Sequence, residues 1–206
     1  MMTRRPFYVL AGPPGAGKTS LLEQLSPAVT TVPEFARRVL AQARASGSRA
    51  TGDQDPALFV AHMLDMACAD YDAAGSRTVF DRGLPDLLAF CAYYDLPDTA
   101  IRAQITQRPY RSPVFFLPPW PEIYETDDER VLDFAGAAAF GDLIRSAYVG
   151  LGYDLIEVPK LAPDARAAGL HHSHRKRWKL SSGNLATGLP AQGDRPGLPR
   201  RADLRL

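Results

Sequence analysis

At residues 12–19 the chain reads Gly12-Pro13-Pro14-Gly15-Ala16-Gly17-Lys18-Thr19. This octapeptide matches the phosphate-binding pattern G-x-x-x-x-G-K-[ST] in full. It follows an apolar run at residues 7–11 and precedes leucines at helical spacing. Glycines let successive backbone N–H groups turn inward around an anion, and the start of a helix adds partial positive charge. We therefore predict a phosphate-binding loop between a buried strand and a helix.

Two side chains of this loop are expected to carry chemistry. Lys18 can reach the β- and γ-phosphates of a nucleotide, and the hydroxyl of Thr19 can bind Mg²⁺. Ser20 completes the predicted nucleotide-binding set, which begins at Gly12. The predicted cofactors are Mg²⁺ and ATP, with GTP as an alternative. The competing interpretation is a glycine-rich turn that contains a lysine by chance.

The rest of the first 161 residues alternates apolar runs with helical patterns. Further short strands are predicted at residues 29–32, 78–80, 114–117 and 153–158. Strands that are almost entirely apolar and alternate with helices indicate a parallel sheet covered on both faces. We therefore predict an α/β protein with the P-loop NTPase fold, in which about five parallel strands carry helices on both faces.

Asp81 and Arg82 follow the predicted strand at residues 78–80. A phosphate loop needs a second magnesium anchor, and Asp81 is predicted to hold the metal directly or through water. The alternative is an Asp that caps the next helix. Arg82 is expected at the carboxyl edge of the sheet, where ligands bind in open α/β folds. The pair Asp81-Arg82 resembles the Asp-Arg motif of nucleoside and nucleotide kinases, which implies that Arg82 steadies the acceptor or a phosphate; the alternative is a surface arginine.

Glu34 ends the second predicted strand and should reach the same edge. A carboxylate there can orient or deprotonate an acceptor hydroxyl, or it can simply favour the dipole of the next helix. Arg37 and Arg38, one turn on, are candidates for anion binding.

Prolines, aromatic residues and then charges at residues 117–130 are typical of a lid near the nucleotide. Arg130 would there offset charge on the transferred phosphoryl group, unless the charged run is only a solvated helix face. Tyr110 and Arg111 are weaker candidates for contacts with the base or the acceptor.

Several segments together resemble a known family. They are the loop at 12–19, Val-Pro-Glu-Phe-Ala-Arg at 32–37, Phe-Asp-Arg-Gly-Leu-Pro-Asp at 80–86, Leu-Pro-Pro-Trp-Pro-Glu-Ile-Tyr at 117–124, Tyr148, and Leu-Gly-Tyr at 151–153. The resemblance covers about residues 6–159 and is to AAA-domain ATPases of the NadR/TTD type, which are related to nicotinamide riboside kinases. It implies a P-loop kinase-like fold, ATP or GTP with Mg²⁺, and Asp81 as the Walker B acid, but no particular acceptor.

Charge divides the chain into two parts. Residues 1–161 hold 15 basic and 20 acidic residues, whereas residues 162–206 hold 9 and 3. The second part is rich in Gly, Pro, Ser and Arg, so we predict a nucleotide-binding domain at 1–161 and a basic, largely disordered tail at 162–206. Residues 162–168 could begin a closing helix, whose helical pattern is lost at Gly169. The tail could contact anionic partners.

No apolar run is long enough for a membrane span, and no secretion signal is evident. Cys68 and Cys91 lack metal or redox spacing, which favours reduced thiols in a cytoplasmic protein.

The leading hypothesis is a kinase-like phosphotransferase or ATPase acting on a small, nucleoside-like metabolite. Its catalytic candidates are Lys18, Glu34, Asp81, Arg82 and Arg130. The alternative is a nucleotide-dependent switch or binding module with a protein, membrane or nucleic-acid partner.

Overall fold

A five-stranded parallel sheet forms the centre of the computed structural model, which describes residues 7–26, 28–125 and 132–173. The strands lie in the order β2-β3-β1-β4-β5. Along the chain, the elements are β1 (Tyr8–Ala11), α1 (Lys18–Leu25), β2 (Thr30–Val32), α2 (Phe35–Ser46), α3 (Pro56–Ala73), β3 (Thr78–Asp81), α4 (Asp86–Tyr94), α5 (Thr99–Gln107), β4 (Val114–Phe116), α6 (Phe134–Gly150), β5 (Leu155–Glu157) and α7 (Pro163–Ser173). The predicted α/β fold and its parallel sheet are confirmed.

Successive strand residues point to opposite sides of the sheet, and apolar residues lie on both sides. Helices therefore cover both faces. Leu10 of β1 packs into a cluster with α1 and with Ala167 of α7. Its neighbours Val9 and Ala11 pack into a larger cluster that includes residues of α2, α3, α4 and α6. The central strand is therefore dry on both faces, which explains its uninterrupted apolar sequence.

Helix starts follow the local sequence. Asp55 caps α3 by accepting a hydrogen bond of 3.0 Å from the N–H of Leu58, and Pro56 occupies the first helical turn. Asp133 caps α6 by accepting a hydrogen bond of 2.7 Å from the N–H of Gly136. These caps fix where the two long helices begin.

The segment after residue 161, predicted as a largely disordered tail that could begin with a short helix, does begin with a helix. Helix α7 begins just after residue 161 and packs on α1, where Ala167 is buried. Alanine is the best helix former, and three alanines in the first two turns of α7 support it there. The Pro/Gly-rich remainder of the predicted tail, residues 174–206, lies outside the described residues. Within the described ranges, no helix has the length and apolar character needed to cross a bilayer.

Candidate functional site

The glycine-rich loop leaves the central strand β1 and ends at the first residue of α1. A Cβ on Gly12 would lie 2.3 Å from the carbonyl oxygen of Leu117, so only glycine lets the chain pass the end of β4. Gly17 precedes α1 with a left-handed φ of 82°, which glycine adopts without strain. These two positions explain why the loop needs glycine at its beginning and before the helix.

Beside this loop lies a cavity of about 560 Å³. Lys18, Thr19 and Ser20 line it at the start of α1, and Glu34 and Arg37 line it at the start of α2. The opposite walls come from the segment after β4 and from the start of α7. A volume of this size holds a small-molecule ligand or cofactor.

Lys18 is almost completely buried at the base of the loop. Its Nζ donates hydrogen bonds of 3.1 Å to the carbonyl of Gly12 and 2.9 Å to that of Pro13. Burial, reinforced by the positive charge of Arg82, lowers the pKa of Lys18 to about 8. A desolvated ammonium group therefore lines the cavity, and an anion in the cavity would relieve its burial cost.

Asp81 is the last residue of β3, where it pairs in register with Leu10 of β1. It therefore lies beside the start of the loop, and its side chain is buried. Burial raises the pKa of Asp81 to about 6, against the attraction of Lys18. Among the described residues, its Oδ1 atom has no hydrogen-bond partner. A buried carboxylate oxygen without a partner fits a divalent cation held next to the phosphates.

Arg82 is buried and is not a surface arginine. Its Nε donates a hydrogen bond of 2.6 Å to Glu34, and its Nη1 donates bonds of 3.1 Å to Asp86 and to the carbonyl of Gly12. Its backbone has a left-handed φ of 70°, which is uncommon for a residue with a side chain. This conformation, together with the two carboxylates, holds the guanidinium group behind the phosphate loop.

Asp86 anchors the other end of this network inside the protein. It is completely buried and accepts a hydrogen bond of 2.9 Å from the N–H of Gly83 and one of 2.6 Å from the hydroxyl of Tyr148. Burial, followed by the negative charge of Asp86, raises the pKa of Tyr148 well above its usual value. Asp86 thereby ties α6 and the start of α4 to Arg82.

Glu34 is the member of the network that lines the cavity. Burial alone would raise its pKa, but Arg82 and Lys18 outweigh this effect and lower the pKa of Glu34 to about 2. Glu34 is therefore a carboxylate at neutral pH and a weak base. It is suited to accept a hydrogen bond from a ligand hydroxyl rather than to store a proton.

Of the other residues singled out in the sequence, Arg37 reaches the cavity, whereas Arg38 and Tyr110 do not line it. Arg37 lines the cavity and lies 3.5 Å from Glu34, but Arg38 pairs with Asp70 on α3. Tyr110 is buried in the core, where its hydroxyl accepts a hydrogen bond from the N–H of Leu84.

Arg111 lies over the ring of Tyr8 and does not line the cavity. Arg130 lies outside the described residues, so its role stays a prediction. Part of the aromatic segment after β4 lies near the loop, and its role as a lid stays a prediction. Trp120 and Ile123 line the cavity, and the ring of Tyr124 lies against Gly15.

Arg166 of α7 is a cavity residue that sequence reasoning missed. It donates hydrogen bonds of 3.1 Å to the carbonyls of Ala16 and Pro159, and its guanidinium group lies 4.5 Å from the ring centre of Trp120. No local pattern predicts its contact with Ala16, because the two residues are 150 positions apart in the sequence. Arg166 also lies in the segment predicted to be a tail.

The loop, the strand order and the buried acid beside the loop define the class of protein. They are the features of a P-loop nucleotide-binding protein with a kinase-like fold. The sequence matches the AAA domain family over residues 7–166, and the chain belongs to that family. The predicted resemblance is thereby confirmed.

Solved structures show the same fold at low sequence identity. The NadR protein in complex with NR aligns with 86% of this chain and 54% of its own, with a TM-score of 0.64 and 18% identity. The NadR protein in complex with NAD and AMP-PNP aligns with 86% and 52%, with a TM-score of 0.56 and 19% identity. The chain thus spans about half the length of these NadR chains.

Shikimate kinase from Acinetobacter baumannii, solved with shikimate, is similar in size. It aligns with 86% of this chain and 96% of its own, with a TM-score of 0.51 and 18% identity. A comparison with functionally curated proteins found no match. These likenesses support the kinase-like fold.

Proposed function

We propose that this protein is a Mg²⁺-dependent phosphotransferase that moves the γ-phosphoryl group of ATP to a hydroxyl of a small metabolite. The observation that carries the proposal is the shared cavity. It brings the phosphate-loop residues Lys18 and Thr19 together with Glu34, a carboxylate suited to binding a hydroxyl. The structural likeness to the NadR protein solved with NR and to shikimate kinase solved with shikimate supports the same class of enzyme.

Lys18 and the N–H groups of the loop act on the phosphate side of the cavity. The ammonium group of Lys18 would exchange its two carbonyl partners for phosphate oxygens and balance their negative charge. Thr19 and Asp81 would hold Mg²⁺, directly or through water. Held there, the ion would offset the negative charge of the transferred phosphoryl group.

Glu34 acts on the acceptor side. Its carboxylate would accept a hydrogen bond from the acceptor hydroxyl and aim the oxygen at the γ-phosphorus. The new bond joins the acceptor oxygen to phosphorus, the bond to the β-phosphate oxygen breaks and leaves ADP, and the hydroxyl proton passes to solvent water. Because the pKa of Glu34 is about 2, orientation rather than proton storage is its contribution. Arg82 is then a positioning residue that fixes the Glu34 carboxylate.

A nucleotide-dependent switch is the second candidate. It is favoured by the contacts that the segment after β4 and helix α7 make with the phosphate loop. A nucleotide in the cavity would meet both segments, so its arrival could change how they pack. A partner that contacts the basic residues after α7 belongs to this second candidate.

Transfer of labelled phosphate distinguishes the two functions. The protein is incubated with γ-labelled ATP, Mg²⁺ and a pooled metabolite extract, and the products are separated. Label on a new small molecule is expected, absent in Lys18→Ala and reduced in Glu34→Gln. Arg102→Met removes an exposed arginine of α5 and serves as the control with unchanged transfer. Label only in inorganic phosphate, or left on ATP, contradicts the phosphotransferase and favours the switch.

A further inference from the structure

Arg166 is a buried cation that binds three separate parts of the site. The residue is 3% exposed, although arginine is rarely so buried without a carboxylate. Its hydrogen bonds reach the phosphate loop at Ala16 and the β5–α7 connection at Pro159, and its guanidinium group stacks on Trp120. A single side chain of α7 therefore connects the phosphate loop with the β5–α7 connection and with the segment after β4.

The charge of Arg166 has no anionic partner in the described part of the chain. Its contacts there are two backbone carbonyls and an aromatic ring, and burial lowers the pKa of its guanidinium group. These contacts use two of the five N–H donors of an arginine. Because Arg166 lines the same cavity as Lys18, its natural counter-charge is an anion bound in that cavity.

The bond to Ala16 also fixes part of the phosphate loop. A trans peptide holds the carbonyl of Ala16 and the N–H of Gly17 in opposite directions, so a bond to the first sets the direction of the second. A Cβ on Gly17 would lie 3.0 Å from Nη1 of Arg166, which shows how closely the guanidinium group approaches the loop. Arg166 thus holds a loop donor in place while it brings positive charge to the cavity.

We propose that Arg166 is a polyphosphate-binding residue and that helix α7 contributes this residue to the nucleotide site. The inference rests on the proposed function only in assuming that a polyphosphate occupies the cavity. It extends that function by assigning a second cation, from outside the motif, to the triphosphate of the nucleotide.

Binding of inorganic tripolyphosphate tests the assignment without requiring a base, an acceptor or transfer. Arg166→Gln removes the charge and keeps an amide that can donate to Ala16, whereas Arg166→Lys keeps the charge. We expect Arg166→Gln to weaken binding about tenfold and Arg166→Lys by no more than about threefold, measured by titration calorimetry. The salt dependence of binding should become shallower in Arg166→Gln and stay unchanged in Arg166→Lys.

Three further variants make the result decisive. Arg166→Met is a second neutral substitution, so the comparison does not depend on one variant folding. Arg145→Gln is the matched control, because Arg145 also stacks on an aromatic ring, that of Phe116, but does not line the cavity. Lys18→Ala reports on the phosphate site itself, and unchanged binding in that variant overturns both the proposed function and this inference.

Two other results would overturn only the role of Arg166. One is binding by both neutral variants within twofold of the wild type while Lys18→Ala binds weakly. The other is equal weakening in Arg166→Gln and Arg166→Lys with unchanged salt dependence, which would leave Arg166 a purely structural residue. Failure of label transfer alone would contradict the phosphotransferase and leave this inference standing.

Discussion

Replacing Arg82 with methionine should destabilise the fold far more than replacing an exposed arginine. Methionine fills a similar volume but removes the guanidinium group that bridges Glu34 and Asp86. Asp86 is completely buried, so its carboxylate would lose its ionic partner without gaining water. Removing one partner of a buried ion pair costs about 3–5 kcal/mol, because the remaining charge is left uncompensated.

The lower end of that range applies here. Asp86 keeps the hydrogen bonds from Gly83 and Tyr148, and Glu34 lines the cavity and can be hydrated. We therefore expect the free energy of unfolding to fall by about 3 kcal/mol. For a chain of this length, that change lowers the melting temperature by roughly 6–12 °C.

Chemical denaturation monitored by circular dichroism measures the effect. Arg102→Met is the matched control, since Arg102 pairs with Asp98 at an exposed position of α5 and should change stability by less than about 0.5 kcal/mol. The double variant Arg82→Met/Asp86→Asn should lose less than the sum of its single changes, because it removes both charges. A loss below about 1 kcal/mol in Arg82→Met, or strict additivity in the double variant, would refute the buried network.

Three other predictions concern the loop, the metal and a helix cap. Gly12→Ala places a Cβ against Leu117 and should lower stability by at least about 2 kcal/mol and weaken nucleotide binding, whereas Gly75→Ala, in open space, should do neither. With ATP present, Mg²⁺ should raise the melting temperature of the wild type and not that of Asp81→Asn; equal shifts would contradict Asp81 as a metal anchor. Asp55→Ala should lower the free energy of unfolding by about 1 kcal/mol in chemical denaturation, and no change would contradict the cap.

The sequence predicts the strands and the loop because their signals are local. The phosphate loop is a contiguous motif, and most of the strands are apolar runs too short for a helix. Helix α4 gives no such signal, because Leu87, Leu88 and Phe90 are buried on different sides of it and leave no amphipathic period.

Arg82 and Arg166 show why the electrostatics of the site could not be read in the same way. The sequence predicts that Glu34 and Arg82 share one edge of the sheet, but it does not reveal the left-handed backbone of Arg82 or its direct pairing with Glu34, 48 residues earlier. The composition of the C-terminal segment suggests a solvated basic tail, yet Arg166 at its start is buried against the loop. Burial of a charge depends on partners distant in sequence, which local patterns do not encode.

Binding of MgATP to the wild type and to Lys18→Ala, by isothermal titration calorimetry, tests the central claim most directly. We expect one site per chain in the wild type and an affinity at least about tenfold lower in Lys18→Ala, because charge-assisted bonds to phosphate are lost. Both proteins should unfold cooperatively, since Lys18 lines the cavity and lies outside the hydrophobic clusters. Equal affinities, or no binding to the folded wild type, would contradict the assignment of a nucleotide site.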